Sequence, residues 1–376
     1  LASKSSSDRF EGKDFESSMV PFIERLKGGE AVLTGRQIIT ELDPELAGKG
    51  VIFTDLISAA RDFPKLVEKI LGRIVAPSDG KFSALTGAYA QNGVFIYIPQ
   101  GLRVDQILHS FFQAPRTKEA DFTHILIYLE DGSTLTYLHE MASLVESNDQ
   151  ALIGENVEIF VGQDANLKFI EFQNAGRHVW SFGYKQAQVN RDGKLDWVVG
   201  GIGSHLAKQF LTVDLMDCGA EGHVSGMFFA NGEQHLAYNT IQNHYAPSTY
   251  SNLLFKGALA DSGRSVWRGM IYVAPGAENA DGYQENRNLL LSERARSTSI
   301  PGLEILNDAV RCSHGATVGK LDAEKMFYLK SRGIPHVEAK RLIVRGYFDE
   351  VLKLVPLVQI RERIEESISR KMSQGL

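Results

Sequence analysis

Short apolar runs separated by turn-forming glycine, asparagine and aspartate fill the middle of this 376-residue chain. Runs such as THILIYL, LKFIEF and FLTVDLM follow one another from about residue 80, and no long helical pattern comes between them. They amount to roughly ten strands within about 200 residues, and an open twisted sheet of that size usually curls or splits into layers. The pattern therefore favours a mainly β solenoid or a sandwich. The runs lack a strict repeat length, so their spacing alone does not distinguish the two.

Helical periodicity flanks the β-rich region on its N-terminal side. Apolar residues recur at helical spacing in the segments 20–26 and 56–70. Pro64 is expected to divide the second segment into two helices, because proline lacks the N–H that a helix interior needs. The sequence thus predicts a helical region over residues 1–78, which begins with a polar, serine-rich lead over residues 1–18 that is expected to be disordered.

The C-terminal flank also has a helical pattern. Asp322 can cap a helix that Gly333 ends. Two further amphipathic helices are expected on either side of Pro356. The predicted organisation is therefore a β core over residues 79–317 and a C-terminal helical region over residues 318–376.

Composition and charge limit the classes of protein to which the chain can belong. Hydrophobic residues make up 43% and charged residues 23%, as in ordinary globular proteins. The net charge of −6 disfavours a nucleic-acid partner. No apolar run is long enough to span a bilayer, and the polar N-terminus lacks the apolar core of a signal peptide. Two cysteines cannot form a disulfide framework. These features predict a cytoplasmic protein with no membrane partner.

Cys312 and His314 are the most distinctive pair of candidate ligands in the sequence. They lie in an extended run that follows a proline–glycine turn, and alternation along a strand would place both side chains on one face. A thiolate beside an imidazole suits zinc, copper(I) or an iron–sulfur species. The alternative is structural, because a buried cysteine more often acts as a small hydrophobic residue. Taken alone, the pair favours the structural alternative.

Three other motifs carry weaker signals. Cys218 and His223 lie close together beside two carboxylates, which could hold a metal but fits a turn with a buried cysteine better. The glycines around Gly201 resemble a dinucleotide-binding turn, but no alternating strand–helix pattern follows them. The run GATVGKL resembles a phosphate loop, yet it is one residue short and has Leu321 where serine or threonine would bind magnesium. The sequence therefore predicts no nucleotide hydrolysis by this chain.

The last third of the chain resembles the SufB/SufD family of iron–sulfur cluster assembly scaffolds. The matching residues are PGLEI and DAVRCSHGATVGKLDAEKMFYLKSRGI, preceded by QNHYAPSTYS, GRSVWRGMIYV and GYQENRNLLLSERA. The resemblance extends over roughly residues 80–355. It implies a right-handed parallel β-helix flanked by N-terminal and C-terminal α-helical regions, which agrees with the density of predicted strands.

The resemblance also implies partners and a cargo. It implies a SufB-like subunit and a SufC-like ABC-type ATPase as partners, with Cys312 and His314 near the interface between the two scaffold subunits. Two ligands from one chain leave a metal or cluster under-coordinated, so a partner chain is expected to supply the rest. No tightly bound cofactor is expected in isolation, and iron, sulfide or a cluster is expected transiently in the complex. In isolation a homodimer through the last coils is expected.

The same resemblance implies that the ATPase docks on the C-terminal helices. Tyr347, Phe348 and Val351 offer an apolar strip for this contact. Gly315 and Gly319 lie just before the first of these helices and are candidate hinges, because glycine absorbs large dihedral changes.

Two departures from the family pattern favour the SufD branch. SufB-like subunits carry a cysteine at about the position of Asn286 and a glutamate at that of Gly315. An amide and a glycine offer neither a thiolate nor a carboxylate, so a non-catalytic scaffold role is expected. The alternatives are a SufB-like homodimeric scaffold and, in a different class, a β-helix lyase or hydrolase that acts on carbohydrate in a carboxylate-lined groove.

Overall fold

The computed structural model describes residues 28–35, 37–143 and 149–374, and its centre is a parallel β-solenoid built from two sheets. The strands are β1 Gly29–Thr34, β2 Gln37–Leu42, β3 Ile52–Asp55, β4 Asn92–Ile98, β5 Leu108–Gln113, β6 Ala120–Leu129, β7 Thr134–Ala142, β8 Ala151–Val161, β9 Asn166–Asn174, β10 Val179–Val189, β11 Lys194–Gly201, β12 Leu206–Leu215, β13 Glu221–Ala230, β14 His235–His244, β15 Tyr250–Leu259, β16 Arg264–Val273, β17 Asp281–Leu290, β18 Arg296–Ile305 and β19 Arg311–Lys320. From β4 onward, even-numbered strands form sheet B and odd-numbered strands form sheet A, so that eight strand pairs make eight coils. The mainly β solenoid is therefore confirmed.

Inward-facing side chains of neighbouring coils lie in register and stack in columns along the solenoid. Tyr137, Phe169 and Trp197 occupy the same position in β7, β9 and β11. The ring centroids of Tyr137 and Phe169 are 5.4 Å apart with planes only 6° from parallel, and those of Phe169 and Trp197 are 5.6 Å apart. Full burial of a large apolar side chain typically stabilises a fold by about 1.5–3 kcal/mol, so such columns form the core.

The turns between strands explain why aspartate and asparagine punctuate the sequence. Asp164, Asp192 and Asp261 have φ angles of 53°, 52° and 53° in the turns that connect β8 to β9, β10 to β11 and β15 to β16. This left-handed conformation is costly for most residues, but aspartate tolerates it because its side chain bonds locally to the backbone. The turn signals in the sequence therefore mark real coil boundaries.

The sequence predicts a helical region over residues 1–78, but the N-terminal flank also contains strands. β1 extends sheet A by pairing parallel with β5, and β2 and β3 pair antiparallel with β1 and β4. These strands escaped prediction because β2 is at least partly exposed along its whole length and carries no clear alternation. The helices of this flank are α1 Pro44–Gly48, α2 Leu56–Asp62, α3 Pro64–Val67 and α4 Lys81–Tyr89.

Part of the helical prediction for this flank is confirmed. The segment 56–70 contains α2 and α3, and Pro64 occupies the first turn of α3, as predicted. The helix predicted over residues 20–26 and the polar lead lie outside the described residues.

Three helices follow the solenoid, as predicted. They are α5 Ala323–Ser331, α6 His336–Leu352 and α7 Val358–Gln374. The Asp322 carboxylate caps α5 by accepting hydrogen bonds from the backbone N–H groups of Glu324 and Lys325, at 2.9 and 3.2 Å. Helices α6 and α7 fold back over the outer face of sheet A, where their apolar side chains form one cluster with those of the sheet. No helix among the described residues has the length and apolar character needed to cross a membrane.

The C-terminal end of the solenoid is open. β18 and β19 are the last strands of sheets B and A, so each ten-residue strand has one edge without a neighbouring strand among the described residues. At the opposite end, β2 and β3 close the two sheets as short antiparallel strands. A long free edge is a template for pairing with another chain, whereas a short antiparallel one is not.

Candidate functional site

Cys312 and His314 both lie on the inward face of β19, at the open end. They pair in register with Gly282 and Gln284 of β17, which are buried in the solenoid interior. Cys312 is half-buried and His314 is exposed. The alternation predicted from the sequence therefore places the two side chains on one face, but in the last coil rather than deep in the core.

Cys312 has a largely apolar surrounding. It packs against a small cluster that contains Ile271, Val273 and Ala280. Partial burial raises the pKa of the Cys312 thiol, and a hydrogen bond with the backbone of Gly282 offsets this only in part. At neutral pH the side chain is therefore a thiol, and binding a metal through sulfur would release a proton.

A histidine from the preceding coils comes close to Cys312. A Cβ atom on Gly282 would lie 3.2 Å from Nε2 of His244 and 3.3 Å from Sγ of Cys312, so glycine keeps the space between them open. His244 bonds Thr249 Oγ1 through Nδ1 and Ser251 Oγ through Nε2, at 2.7 and 2.8 Å. Burial lowers the pKa of His244 to about 4, so its imidazole is neutral at physiological pH.

A network of polar side chains lies in the interior beside the last coil, where Asn286 of β17 is in register with Ala316 of β19. Asn286 donates to the backbone carbonyl of Phe255 at 3.1 Å and accepts from Asn288 and Ser299 at 2.5 and 2.6 Å. Asn286 is fully buried. Asn286 is thus a neutral amide whose hydrogen bonds are made within this chain.

The open end carries two side chains that could ligate a metal. Cys312 and His314 offer one sulfur and one imidazole, whereas an iron–sulfur cluster is usually held by four protein ligands. Within the described ranges no three histidine, cysteine, aspartate or glutamate side chains are grouped so that they could hold a metal ion. Cys218 and His223 are therefore not part of such a group in the described residues. The His223 ring lies 3.5 Å from the Glu221 carboxylate.

The proposed hinge glycines lie inside a paired strand. Gly315 and Gly319 belong to β19 and are in register with Glu285 and Leu289 of β17. Neither has a positive φ angle. Rotation at either glycine would disturb the β17–β19 ladder, and the hinge role of the two glycines stays a prediction. The short link before α5, residues 321–322, lies outside both elements.

Two of the three residues expected to dock the ATPase face the solenoid instead. Phe348 and Val351 are fully buried in the cluster between α6 and sheet A, and Tyr347 packs at its border. The backbone carbonyl of Tyr347 also accepts a hydrogen bond from Lys256 Nζ at 3.0 Å. The apolar face of α6 therefore packs against sheet A of the same chain. Phe348 and Val351 are not exposed to a partner, so the predicted docking strip is wrong for these two residues.

A buried charge network in the solenoid interior was not predicted. Lys185 Nζ lies 2.6 Å from Glu155 and also pairs with Glu171, and His139 Nε2 bonds Glu155 at 3.0 Å. Burial alone would raise the pKa of Glu155, but the Lys185 charge and the hydrogen bond to His139 outweigh it and hold the pKa well below its usual value. The sequence feature that could have indicated this network is Lys185 itself, which occupies an inward position of the alternating run SFGYKQAQV.

Comparison with known proteins places these features in a family. A family model described as "SUF system FeS cluster assembly, SufBD core domain" matches residues 111–347, and one described as "SufBD protein N-terminal region" matches residues 23–109. The iron–sulfur cluster assembly protein SufD of Bacillus subtilis is 32% identical over 333 residues, which is 88% of this chain and 76% of that protein. An iron–sulfur cluster assembly SufBD family protein of Staphylococcus saprophyticus is 31% identical over 347 residues, which is 92% of this chain and 74% of that protein. With a parallel solenoid and these matches, the chain belongs to the SufBD family of iron–sulfur cluster assembly proteins and is SufD-like.

Proposed function

We propose that this chain is a non-catalytic scaffold subunit of a SUF iron–sulfur cluster assembly complex, in which it pairs with a SufB-like subunit and docks a SufC-like ABC-type ATPase. The observation that carries the proposal is the open end of the solenoid. Two ten-residue strands, β18 and β19, each offer a free edge there, and the candidate ligands lie on one of them.

The side chains at this end suit a protein partner. Ile305 and Leu306 at the end of β18 are 37% and 51% exposed, and Val318 of β19 is 46% exposed. Apolar groups beside unpaired backbone N–H and C=O groups favour strand pairing, because the partner satisfies the backbone and covers the apolar surface together. A SufB-like solenoid with a similar end would extend both sheets across the interface.

In this proposal, iron, sulfide or the cluster is a cargo held between subunits. Cys312 and His314 contribute part of the ligand set, and the SufB-like subunit supplies the remainder. The incomplete set of ligands explains why no tightly bound cofactor is expected in the isolated chain.

The docking surface for the ATPase is reassigned to α5 and the start of α6. Phe327 and Tyr328 on α5 are 75% and 57% exposed. Val337 and Leu342 on α6 are 39% and 40% exposed, so the two helices carry an apolar surface that nothing in the described structure covers. Large aromatic side chains at such a surface are typical anchors of a protein interface.

Co-purification tests the pairing step. The SufB-like subunit, carrying an affinity tag, is co-expressed with this chain as wild type, as Ile305→Lys/Val318→Lys, or as the control Ile57→Lys. Ile57 is 62% exposed on α2, far from the open end in sequence and on a different element. The edge variant is expected to lose co-purification while the control retains it. Equal recovery of both variants would reject the open end as the pairing surface.

A second pull-down tests the docking surface. Phe327→Ala/Tyr328→Ala is expected to weaken binding of the ATPase, whereas Tyr89→Ala, which removes a 61% exposed aromatic ring from α4, is expected to leave it unchanged. Retained ATPase binding by the α5 variant would exclude this surface.

A further inference from the structure

A cavity of about 820 Å³ lies on the outer face of sheet B beside α4, away from the open end of the solenoid. Its wall is aromatic: Trp180 and Phe182 come from β10, Phe210 comes from β12, and Phe82 comes from α4. Ligand pockets in proteins commonly have volumes of about 300–1,000 Å³, so this cavity has the size of a small-molecule site.

The strand register creates the aromatic wall. Trp180, Phe182 and Tyr184 are alternate residues of β10 and all point outward, and Tyr184 lies in register with Phe210 of β12. The rings of Tyr184 and Phe210 stack with centroids 4.4 Å apart and planes 14° from parallel. Phe82 of α4 stacks on Phe182 at 3.6 Å. Helix α4 therefore covers one part of the aromatic surface, while Trp180 and Phe210 stay partly exposed.

Positive charge surrounds the opening of the cavity. Lys81, Lys118 and Lys208 line it, against the single carboxylate of Glu119. Lys81 Nζ lies 4.9 Å from the centroid of Phe82, and Lys208 Nζ lies 5.3 Å from that of Phe210. The Lys118 ammonium group forms an ion pair with the Asp149 carboxylate at 3.4 Å, so part of its charge is neutralised.

Two of these lysines are available to a ligand. Neither Lys81 nor Lys208 has a carboxylate within ion-pair distance in the part of the chain that the structure describes, and both are exposed. A local excess of positive charge is notable on a chain whose net charge is −6. The charge is held at the edge of a flat apolar wall, so the cavity offers stacking and anion binding side by side.

We propose that this cavity binds a nucleoside phosphate, with the base stacked on Trp180 and the phosphates held by Lys81 and Lys208. A planar aromatic ring matches the wall because base–aromatic stacking tolerates any base. Lysine ammonium groups bind phosphate as mobile point charges and need no fixed geometry. A neutral sugar would leave the charge of the lysines unused, and inorganic phosphate would use only the lysines.

Tryptophan fluorescence gives a direct readout on the full-length chain. Trp197 and Trp267, the other two of its three tryptophans, are only 1% exposed in the interior, so Trp180 is the one placed to sense a ligand. The chain alone is titrated with ATP, adenosine and tripolyphosphate, and the affinities are measured in parallel by calorimetry. ATP is expected to bind at least about tenfold more tightly than either fragment, and to change the emission, because only ATP uses both parts of the site.

Matched variants locate the site. Lys81→Met/Lys208→Met is expected to weaken ATP binding by about tenfold or more and to leave adenosine binding unchanged. Lys168→Met, which removes a lysine from the outer face of sheet A, serves as the control, and Trp180→Phe should abolish the emission change while ATP still binds. Thermal unfolding checks that each variant is folded.

Several results would overturn the proposal. The proposal fails if the chain does not bind ATP at millimolar concentration, or if it binds ATP and tripolyphosphate with equal affinity. It also fails if Lys81→Met/Lys208→Met and Lys168→Met change ATP binding equally. Binding of an acidic aromatic peptide without binding of ATP would instead make the cavity a protein contact. None of these results bears on the pairing or docking tests above, which use other surfaces.

Discussion

Arg363 of α7 donates a hydrogen bond to the Glu140 carboxylate of β7 across 2.9 Å, although 223 residues separate the two in sequence. The Glu140 side chain is 4% exposed and also bonds His109 at 3.0 Å. On α6, Glu350 lies 2.5 Å from Lys256 of β15. Polar contacts thus join the C-terminal helices to sheet A at β7 and at β15. β15 is the third strand counted from the open edge.

Glu140→Gln is expected to destabilise the fold by about 3–5 kcal/mol, because it leaves the partly buried Arg363 without its carboxylate and leaves the buried His109 with only the longer contact to Glu30, at 3.6 Å. Burial alone would raise the pKa of Glu140, but hydrogen bonding to His109 and the charges of His109 and Arg363 lower it. Burial alone would lower the pKa of His109, but its bonds to Glu140 and Glu30 raise it. Urea unfolding monitored by circular dichroism measures the difference from wild type.

The pH dependence of that difference has a defined sign. The Glu140 contribution is present above the ordinary carboxyl pKa of 4.5 and is lost as the pH falls through the lowered folded-state pKa. The His109 contribution is present below the ordinary imidazole pKa of 6.5 and is lost as the pH rises through the raised pKa. The deficit should therefore be largest between these two values. Glu365→Gln, which breaks the more exposed pair with Arg345, should cost no more than about 1 kcal/mol; an equal cost for both would contradict the role of Glu140.

Lys185→Met is expected to destabilise the solenoid by about 3–5 kcal/mol, because Glu155 and Glu171 would then lie buried without a counter-charge. Adding Glu155→Gln and Glu171→Gln should recover part of the loss. Lys194→Met removes an exposed lysine that pairs with Glu221 at 3.4 Å and should cost under about 1 kcal/mol. Denaturant midpoints compare the variants, and failure of the triple variant to recover stability would show that packing, not charge, dominates at Lys185.

Gly257→Ala is expected to destabilise the fold, since a methyl group there would overlap the ring of Phe228 and the amide of Asn288 in the interior. The matched change Gly319→Ala, on the same sheet, meets no atom within 4 Å and should leave the melting temperature nearly unchanged. A melting temperature that is unchanged in both would mean that the interior at Gly257 can relax. A large fall for Gly319→Ala alone would restore a special backbone role to that glycine.

Cys312→Ala/His314→Ala should leave folding intact, because both residues lie in the last coil and His314 is exposed. In the complex with SufB-like and SufC-like subunits, the double variant is expected to hold less iron and acid-labile sulfide than wild type, because the pair supplies part of the ligand set. Cys218→Ala controls for general loss of a thiol. Wild-type iron and sulfide in the double variant would return Cys312 to a packing role among Ile271 and Val273.

Features that depend on local sequence could be predicted, and features that depend on distant contacts could not. The Asp322 cap, the break at Pro64 and the common face of Cys312 and His314 each follow from backbone geometry within a few residues. Periodicity also showed which face of α6 is apolar, but not what covers it. Periodicity alone therefore assigns Phe348 to a partner contact, whereas sheet A covers it completely.

The interior charges were missed for a related reason. Alternation indicates that Lys185 points inward, but only the strand register brings Glu155 and Glu171 to it from other coils. The exposure of His314 likewise depends on where the solenoid ends, which is a property of the whole stack.

Hydrogen–deuterium exchange tests the central claim most directly. Exchange is measured on the chain alone and after addition of the SufB-like subunit. Strong new protection is expected in β18 and β19, residues 296–305 and 311–320, because their free edges become hydrogen-bonded. Unchanged exchange in both strands on a complex that has formed would contradict pairing through the open end of the solenoid.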